Sequence, residues 1–489
     1  MIRFFVRLAG RSDGVSRRTM VGAVPLLLGA LTAAHGQLVT PKTVPIHQDD
    51  QFAIFPATRA GMASVAIALD DTLADPFSNP AKAASIRVGR MFTAPFTHGI
   101  SAGQGGGSTL PVGGVASSGA WAGAAVFALQ KLNHGPTSGF GENTAANQYG
   151  SVVVSRRLPG GVSVGASAYL AGLSSIDGVD LLYQGSDRLV ESGSLSDFRI
   201  GTMKEWGGRR LELLVLTNRT GMTHDVHFTT RTWLPSGQQV TTRSDHNVDQ
   251  TNIWGVHTQY VQPVGDDGWR VGVLATANRL SHPKIPNYQI QNIPRDPGTT
   301  YGFDFGLGIS RTVGTTTFGV DVIEEPMVSD TWGTAAADTG IAGGGVLHAG
   351  DKTVLNHFTF ANQKIRIGVG HDFMLSPDSS DAFGFELGMG VSSINYRLHQ
   401  TNNVLQSDRV QDEGWNEWTP TFGLHWRSRG FTVRYLYRRT CGPSACIDII
   451  SGDKVNVVAP AVVAAAVSPM SVNGGTSHVH QFMLEIPIH

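Results

Sequence analysis

The sequence predicts an all-β protein: a transmembrane antiparallel β-barrel of about 14 strands with an N-terminal segment folded into its lumen as a hatch or plug. Three observations lead to this prediction. The chain begins with an export signal, it is rich in glycine and poor in charge, and apolar residues alternate with small or polar ones over many segments of about ten residues.

Residues 1–36 form a predicted signal peptide. Arginines between Arg3 and Arg18 precede the apolar run 21–31, and the small residues Ala34 and Gly36 suit cleavage before Gln37. The apolar run is too short for a comfortable membrane-spanning helix. We therefore expect export and, given the barrel pattern, a location in the bacterial outer membrane.

Composition excludes several classes of protein. Glycine contributes 60 of 489 residues, and charged residues make up only 15% of the chain. After the signal, no run of about 20 apolar residues remains, which argues against a helical membrane protein. The formal net charge of −1 gives no basic footprint for nucleic acid. Cys441 and Cys446 enclose a turn-forming stretch, so an exported chain is expected to join them in a disulfide rather than a metal site.

Alternation is clearest in residues 301–310, where Tyr301, Phe303, Phe305, Leu307 and Ile309 alternate with small or acidic residues. Because successive side chains of a strand point to opposite faces, the apolar set can meet lipid while the other set faces a lumen. A soluble β-sandwich also alternates, but there the apolar face would be the core. The predicted lumen-lining residues are Asp304, Arg366, Glu386, His425, Arg434 and Arg438. They form either interior charge ladders or, alternatively, a ligand site.

Connection lengths also favour a barrel. From residue 119 to 489, short connections alternate with long ones such as 221–250, and about six turns and seven loops imply about fourteen strands. Short connections are expected on the periplasmic side and long ones outside. Residues 84–98 also alternate and are a possible first strand, although the sequence places them within the N-terminal segment 37–118.

The region 37–118 carries a family resemblance. Residues 61–71 are rich in Gly and Ala and end in the acidic pair Asp70 and Asp71, and Asn79, Pro80 and Ala81 follow. This order resembles the hatch of the FadL/TodX family, which carries long-chain fatty acids or hydrocarbons across the outer membrane. Lys82 stands where that family usually has Gly or Leu. From the residues alone, an ordinary Asn-Pro turn entering a strand remains an alternative.

The resemblance implies an outer-membrane channel or transporter for hydrophobic compounds, with outer-membrane lipids and a hydrophobic small molecule as partners. Two alternatives stay open: a general porin for small polar solutes, and a non-transporting barrel that serves secretion or surface attachment. Since no nucleophile elbow, zinc-ligand spacing or phosphate loop occurs, we expect neither an enzyme nor a cofactor or metal.

Overall fold

The structure is a computed structural model, and it describes residues 49–100, 105–134, 143–176, 186–281, 298–335, 337–376, 381–442 and 476–488. The predicted signal peptide therefore lies outside the described residues. Most of the described chain is β-strand. The helices that the structure describes are short, and none of them is long and apolar enough to cross a membrane.

Nineteen strands follow one another along the described chain. They are β1 Gly89–Thr93, β2 Phe96–Ile100, β3 Gly106–Ser118, β4 Trp121–His134, β5 Asn143–Arg157, β6 Val162–Leu173, β7 Arg188–Trp206, β8 Arg209–Leu234, β9 Gly237–Val264, β10 Trp269–Ser281, β11 Gly298–Val313, β12 Thr316–Thr334, β13 Thr339–Gly340, β14 Val346–Leu347, β15 Lys352–Met374, β16 Ala382–Asn402, β17 Ser407–Arg427, β18 Thr432–Cys441 and β19 Thr476–Ile488.

All of these strands except the small pair β13 and β14 join one antiparallel sheet that closes on itself. Both β1 and β2 pair with β3 on one side and with β19 on the other, so together they fill one place in the barrel. Pro95 cannot donate to the ladder, which accounts for the interruption between them. The described chain thus forms a closed barrel of 16 strand positions.

The predicted number of about 14 strands is therefore wrong, because the barrel is larger. The two positions that the prediction lacked are filled by β1 with β2 and by β3, in residues 89–118. The sequence prediction had placed these residues in the region 37–118, before the predicted barrel. Residues 84–98 alternate and were a possible first strand, but Pro95 splits this strand position into two short pieces. β3 is rich in glycine and serine and lacks the strong alternation of the later strands.

The longest hairpin also differs from its prediction. Residues 221–250, expected as a loop, continue β8 and β9 in register to a tight turn between Leu234 and Gly237. Near this turn both faces of the hairpin are exposed. Alternation in hydrophobicity disappears where neither face meets lipid or a lumen, while the backbone ladder continues. The sequence pattern therefore ended before the strands did.

Burial alternates along the barrel strands as the sequence predicted. In β11 the side chains of Phe305 and Leu307 are 53% and 64% exposed, whereas Asp304 is 2% exposed. Large apolar residues are exposed on the outer side of nearly every strand position, and exposed tryptophans stand near both ends of this band, among them Trp121, Trp254 and Trp426. An apolar outer band with aromatic girdles is the surface of a barrel that spans a membrane.

Cysteine labelling in detergent-free membranes tests this orientation. We expect a lipid-soluble maleimide to label cysteines at Phe305 and Leu307, because both positions face outward. A cysteine at Asp304 should react with neither a lipid-soluble nor a polar maleimide, because the position is covered on the inner side. Equal labelling of all three positions would contradict the assigned faces.

Four short helices precede the barrel in the part of the chain that the structure describes. They are the 3-10 helices Asp49–Phe52, Ala60–Met62 and Pro80–Ser85 and the single-turn α-helix α1, Asp75–Ser78. Residues 49–88 are called the N-terminal segment below. Despite its few regular hydrogen bonds, most of the segment is buried. Its burial must therefore come from contacts with the barrel.

Candidate functional site

The N-terminal segment lies against the inner face of the barrel. Its contacts reach strands on every side, from β4 to β7 through β9 to β12 and on to β15 to β18. The strand residues that it meets are the buried ones, which alternate with the exposed apolar residues of the outer band. The candidate functional site is therefore the boundary between this segment and the inner wall.

Asp71 organises the first part of the segment. One carboxylate oxygen accepts hydrogen bonds from the backbone N–H groups of Thr58 and Arg59 at 2.6 and 3.0 Å. The other accepts from Leu73 and Ala74, both at 3.1 Å. An aspartate that accepts several backbone N–H groups fixes a turn that has few hydrogen bonds of its own. This half of the predicted acidic pair thus shapes the segment itself.

Asn79, Pro80 and Ala81 lie at the wall formed by β5, β6 and β7. The Asn79 side-chain oxygen accepts from the Ala81 N–H at 3.1 Å, which caps the 3-10 helix that Pro80 begins. The Asn79 amide nitrogen donates to Glu212 on β8 at 3.1 Å. The asparagine therefore closes a local turn and ties this turn to the barrel.

Two wall glycines make room for this turn. A Cβ atom at Gly165 would stand 2.5 Å from the Pro80 carbonyl carbon, and one at Gly201 would collide with the Asn79 side-chain oxygen. A side chain at either position would push the turn away. The close approach of the two backbones thus depends on glycine.

A cluster of charges joins the segment to β8 and β10. Lys82 lies 2.7 Å from Asp75 and 3.5 Å from Glu212, and Arg210 lies 2.8 Å from Glu212. Asp70 pairs with Arg210 and, at 2.7 Å, with Arg270. We call this set the charge network: Asp70, Asp75, Lys82, Arg210, Glu212 and Arg270. Lys82, the residue that departs from the family pattern, is buried at its centre.

The two aspartates of the network have opposite pKa shifts. Burial raises the pKa of Asp75 to about 6, and the nearby Lys82 and Arg210 charges offset only part of that rise. Burial would also raise the pKa of Asp70, but the Arg210 and Arg270 guanidiniums more than offset it and hold the pKa well below its usual range. Buried opposite charges with several hydrogen bonds each hold one geometry, and losing one partner leaves the others uncompensated.

The opposite wall holds the segment near Gly61. Glu386 accepts a hydrogen bond from the Gly61 N–H at 3.0 Å. The Thr421 hydroxyl donates to the Gly61 carbonyl at 2.7 Å and accepts from the Ala63 N–H at 3.0 Å. Ala63 and Ser64 have positive φ angles of 54° and 55°, a backbone conformation that non-glycine residues seldom adopt. Hydrogen bonds from two strands thus stabilise an unfavourable turn.

Ile67 contacts a third part of the wall. Its backbone N–H is within 3.3 Å of the Asp321 carboxylate, and its carbonyl accepts from Gln259 at 2.7 Å. Its side chain packs against Gly306 and Gly308 of β11, where a Cβ atom would come within 2.8 and 2.5 Å of it. The small residues of the alternating pattern in β11 therefore accommodate the segment rather than line an empty pore.

Four of the six predicted lumen residues contact the segment. Glu386 does so through Gly61, Arg366 reaches the Ser64 carbonyl at 3.5 Å, Arg434 reaches the Thr58 carbonyl at 3.4 Å, and Arg438 pairs with Asp50. His425 instead pairs with Asp372 at 2.9 Å. The sixth residue, Asp304, is buried on the inner side of β11 near the charged residues Glu325, Lys364 and Arg366.

An apolar cluster fills the lumen between the segment and the wall from β4 to β8. Phe55 of the segment packs against Phe77 with ring centres 4.9 Å apart and against Tyr169 of β6 at 5.7 Å, both as tilted pairs. The cluster extends through partly buried side chains toward the long-loop end of the barrel, where it includes Leu189, Leu195 and Phe228. Its buried members include Ile54, Leu73, Tyr149, Leu173, Ile176, Met222 and Val226.

The other side of the lumen is polar. A cavity of about 230 Å³ lies beside Ala63 and Ser64 of the segment and is lined by residues of β15 to β18. Charged side chains of both signs line it, including Asp50, Lys364, Arg366, Glu417 and Arg438. Above this cavity, β12 and β15 to β17 carry a second apolar cluster, made of Met327, Phe358, Phe360, Ile394, Tyr396, Leu398 and Trp415.

Several contact residues were absent from the sequence prediction. Arg210 and Glu212 could have been placed on the inner face, because they alternate with the apolar Leu211 and Leu213. Asp321, Gln259 and Thr421 gave no comparable signal. Cys441 ends β18, whereas Cys446 and the apolar stretch 457–467 lie outside the described residues. The disulfide thus stays a prediction.

Comparisons with solved structures find several outer-membrane barrels. A Pseudomonas aeruginosa FadL homologue has a TM-score of 0.40 and 12% identity and covers 89% of this chain and 100% of its own. The toluene transporter TodX of P. putida scores 0.37 with 9% identity, covering 89% and 99%. A bacterial polysaccharide outer-membrane secretin also scores 0.37, with 7% identity, covering 82% and 99%. No protein-family model and no curated protein sequence matches the chain.

FadL-type transporters are thus among the solved structures that this chain resembles, as the hatch-like motif indicated. The TM-scores are low, and barrels with other functions score alike, so this likeness does not decide what the chain does. The fold itself is informative. A closed antiparallel barrel with an apolar outer band is the architecture of outer-membrane proteins, which makes this chain an outer-membrane β-barrel.

Proposed function

We propose that the chain is an outer-membrane channel for hydrophobic compounds such as long-chain fatty acids, and that the N-terminal segment is the hatch that closes its lumen. The proposal includes export through the cleaved signal peptide 1–36. The apolar cluster between the segment and β4 to β8 is the observation that carries it. The interior of a porin is polar, whereas sites for hydrophobic ligands are lined mainly by apolar and aromatic side chains.

The extent of the apolar cluster supports a path for a ligand. It runs from Phe55 and Phe77 of the segment along the wall to Leu189 and Phe228 toward the long-loop end. The hydrogen bonds and charge network hold the segment across the remaining lumen. A compound that follows the cluster must displace or pass the segment, which is the role of a hatch. Passage of this kind requires no chemical reaction.

The polar cavity on the other side favours a second candidate, a porin for small polar solutes. Charges of both signs, including Lys364 and Glu417, line that cavity as they line the constrictions of such pores. This alternative predicts that sugars cross the native protein. The hydrophobic-compound proposal predicts that they do not.

Ligand binding in detergent tests the proposal. Leu195 belongs to the apolar cluster, and Leu234 is an exposed leucine at the tip of the β8–β9 hairpin. We expect saturable binding of radiolabelled palmitate to the native protein. Leu195→Asp should weaken it at least about tenfold, because the ligand would cover an apolar side chain whose full burial contributes roughly 1.5–3 kcal/mol, whereas a carboxylate would be desolvated.

Leu234→Asp is the matched control and should bind like the native protein. Both variants should keep the heat-dependent gel mobility of a folded barrel. Equal palmitate affinity for the two variants, or no saturable binding to the native protein, would count against an apolar ligand path through the cluster.

A further inference from the structure

The outer wall carries a groove where β1 and β2 meet. Ala94 and Pro95 interrupt this strand position, and the gap opens a groove of about 440 Å³. Its lower part is apolar, with Pro95 beside Leu110, Leu129 and Phe482. These last three side chains are exposed on the outer face by 48%, 53% and 58%. The groove therefore opens toward the surrounding lipid.

The upper part of the groove is polar. Strand register places five outward side chains in one row across neighbouring strands: Lys131 opposite Ser108, Ser108 opposite Thr97, Thr97 opposite His480, and His480 opposite Tyr437. Four of them, all but Tyr437, line the groove. The row thus combines an ammonium group, two aliphatic hydroxyls and an imidazole.

This row lies at the boundary between lipid and the outside. On β4 the outward residues from Trp121 to Leu129 are apolar or small, and Lys131 follows. That stretch is roughly 27 Å long when measured along the strand. Because barrel strands are tilted, this length crosses most of an apolar band about 25 Å tall. Trp121 stands at the short-turn end. Lys131 therefore reaches the headgroup level at the long-loop end.

The charge around the row is positive. Lys131 is exposed, and Arg439 stands opposite His478 one outward position beyond the row. Among the described residues of β2, β3, β4, β18 and β19, the outward positions at the row and beyond it include no acidic side chain. Basic clusters at a membrane boundary attract anionic headgroups, at about 1 kcal/mol per Lys or Arg.

We propose that this groove binds a phosphorylated lipid of the outer leaflet, a phosphoglycolipid of the lipid A type. An acyl chain lies along Leu110, Leu129 and Phe482, and a phosphate at the row accepts hydrogen bonds from Lys131 and from the Thr97 and Ser108 hydroxyls. Lipid fits the groove because the apolar part faces the hydrocarbon layer and the polar part faces the headgroups. A soluble ligand would have to enter the hydrocarbon layer to reach the apolar part.

Native mass spectrometry of the full chain in detergent tests this assignment. The probe is bis-phosphorylated lipid A, compared with the same lipid after enzymatic dephosphorylation. We expect the native protein to retain the phosphorylated form at least about tenfold more strongly, because charge-assisted hydrogen bonds to phosphate are lost with the other form. Lys131→Gln should reduce this preference, and Lys131→Arg should preserve it because the charge remains.

Arg219→Gln is the matched control, since Arg219 is an exposed, outward-facing residue at the same end of another part of the wall. This variant should retain lipid A like the native protein. Equal retention of the two lipid forms by the native protein would overturn the proposal. So would a Lys131→Gln variant that prefers the phosphorylated form as strongly as the native protein does. An Arg219→Gln variant that loses the preference as much as Lys131→Gln would also overturn it, since charge would then act without a site.

Discussion

Deletion of residues 37–83 should convert a nearly closed protein into a steadily open pore. A barrel of 16 strand positions is as wide as porins that hold an aqueous channel, and in this chain the N-terminal segment occupies that space. Single-channel recording in planar bilayers measures the effect. We expect little conductance from the native protein and the steady conductance of a porin-sized pore from the variant, because the uncovered wall includes Glu212, Asp321 and Glu386, which can hydrate.

A shortened β8–β9 hairpin provides the control for this deletion. Residues 230–241 lie at the exposed end of the hairpin, so their removal should leave conductance at the native level. Both variants should show the heat-dependent gel mobility of a closed barrel. If the native protein already conducts like the deletion variant, the segment does not close the lumen.

Replacing Gly201 by Val should also open the lumen, by displacing the Asn79 turn. A Cβ atom at this position would collide with the Asn79 side-chain oxygen, and one at Gly165 on the neighbouring strand would stand 2.5 Å from the Pro80 carbonyl carbon. Overpacking of this kind costs roughly 1–3 kcal/mol, which raises the population of the displaced segment about five- to 150-fold. Bilayer recordings should show flickering openings with a raised open probability.

Gly150→Val is the matched control, because nothing lies within 4 Å of a Cβ atom built there. It adds the same side chain to β5, which is separated from β7 by β6, without touching the segment. We expect native conductance from this variant. Similar openings in both valine variants would mean that barrel strain, rather than displacement of Asn79, causes them.

The orientation of the strands with clear alternation could be predicted from the sequence, because one face of each strand meets lipid and the other does not. Phe305 and Leu307 face outward and Asp304 inward, as the alternation indicated. The strand number could not be predicted, because Pro95 splits one position into two short pieces and β3 has few large apolar residues. The full length of β8 and β9 could not be predicted either, since hydrophobic alternation stops where both faces of the hairpin meet water.

The candidate site was predictable only in part. The order of Asp70, Asp71, Asn79, Pro80 and Ala81 pointed to a hatch-like segment, and alternation placed Glu386 and Arg434 on the inner face. Which residue of the segment contacts which residue of the wall depends on pairs far apart in sequence, such as Asn79 with Glu212. Nothing in the chain itself distinguishes Gly165 and Gly201, which receive the turn, from its other glycines.

Uptake into liposomes tests the central claim most directly, because it measures passage and closure together. Liposomes containing the native protein should take up a long-chain fatty acid faster than protein-free liposomes, and they should exclude a sugar of similar mass. Liposomes with the 37–83 deletion should admit the sugar. Rapid sugar uptake through the native protein, without any acceleration of fatty-acid uptake, would contradict the account and favour a porin.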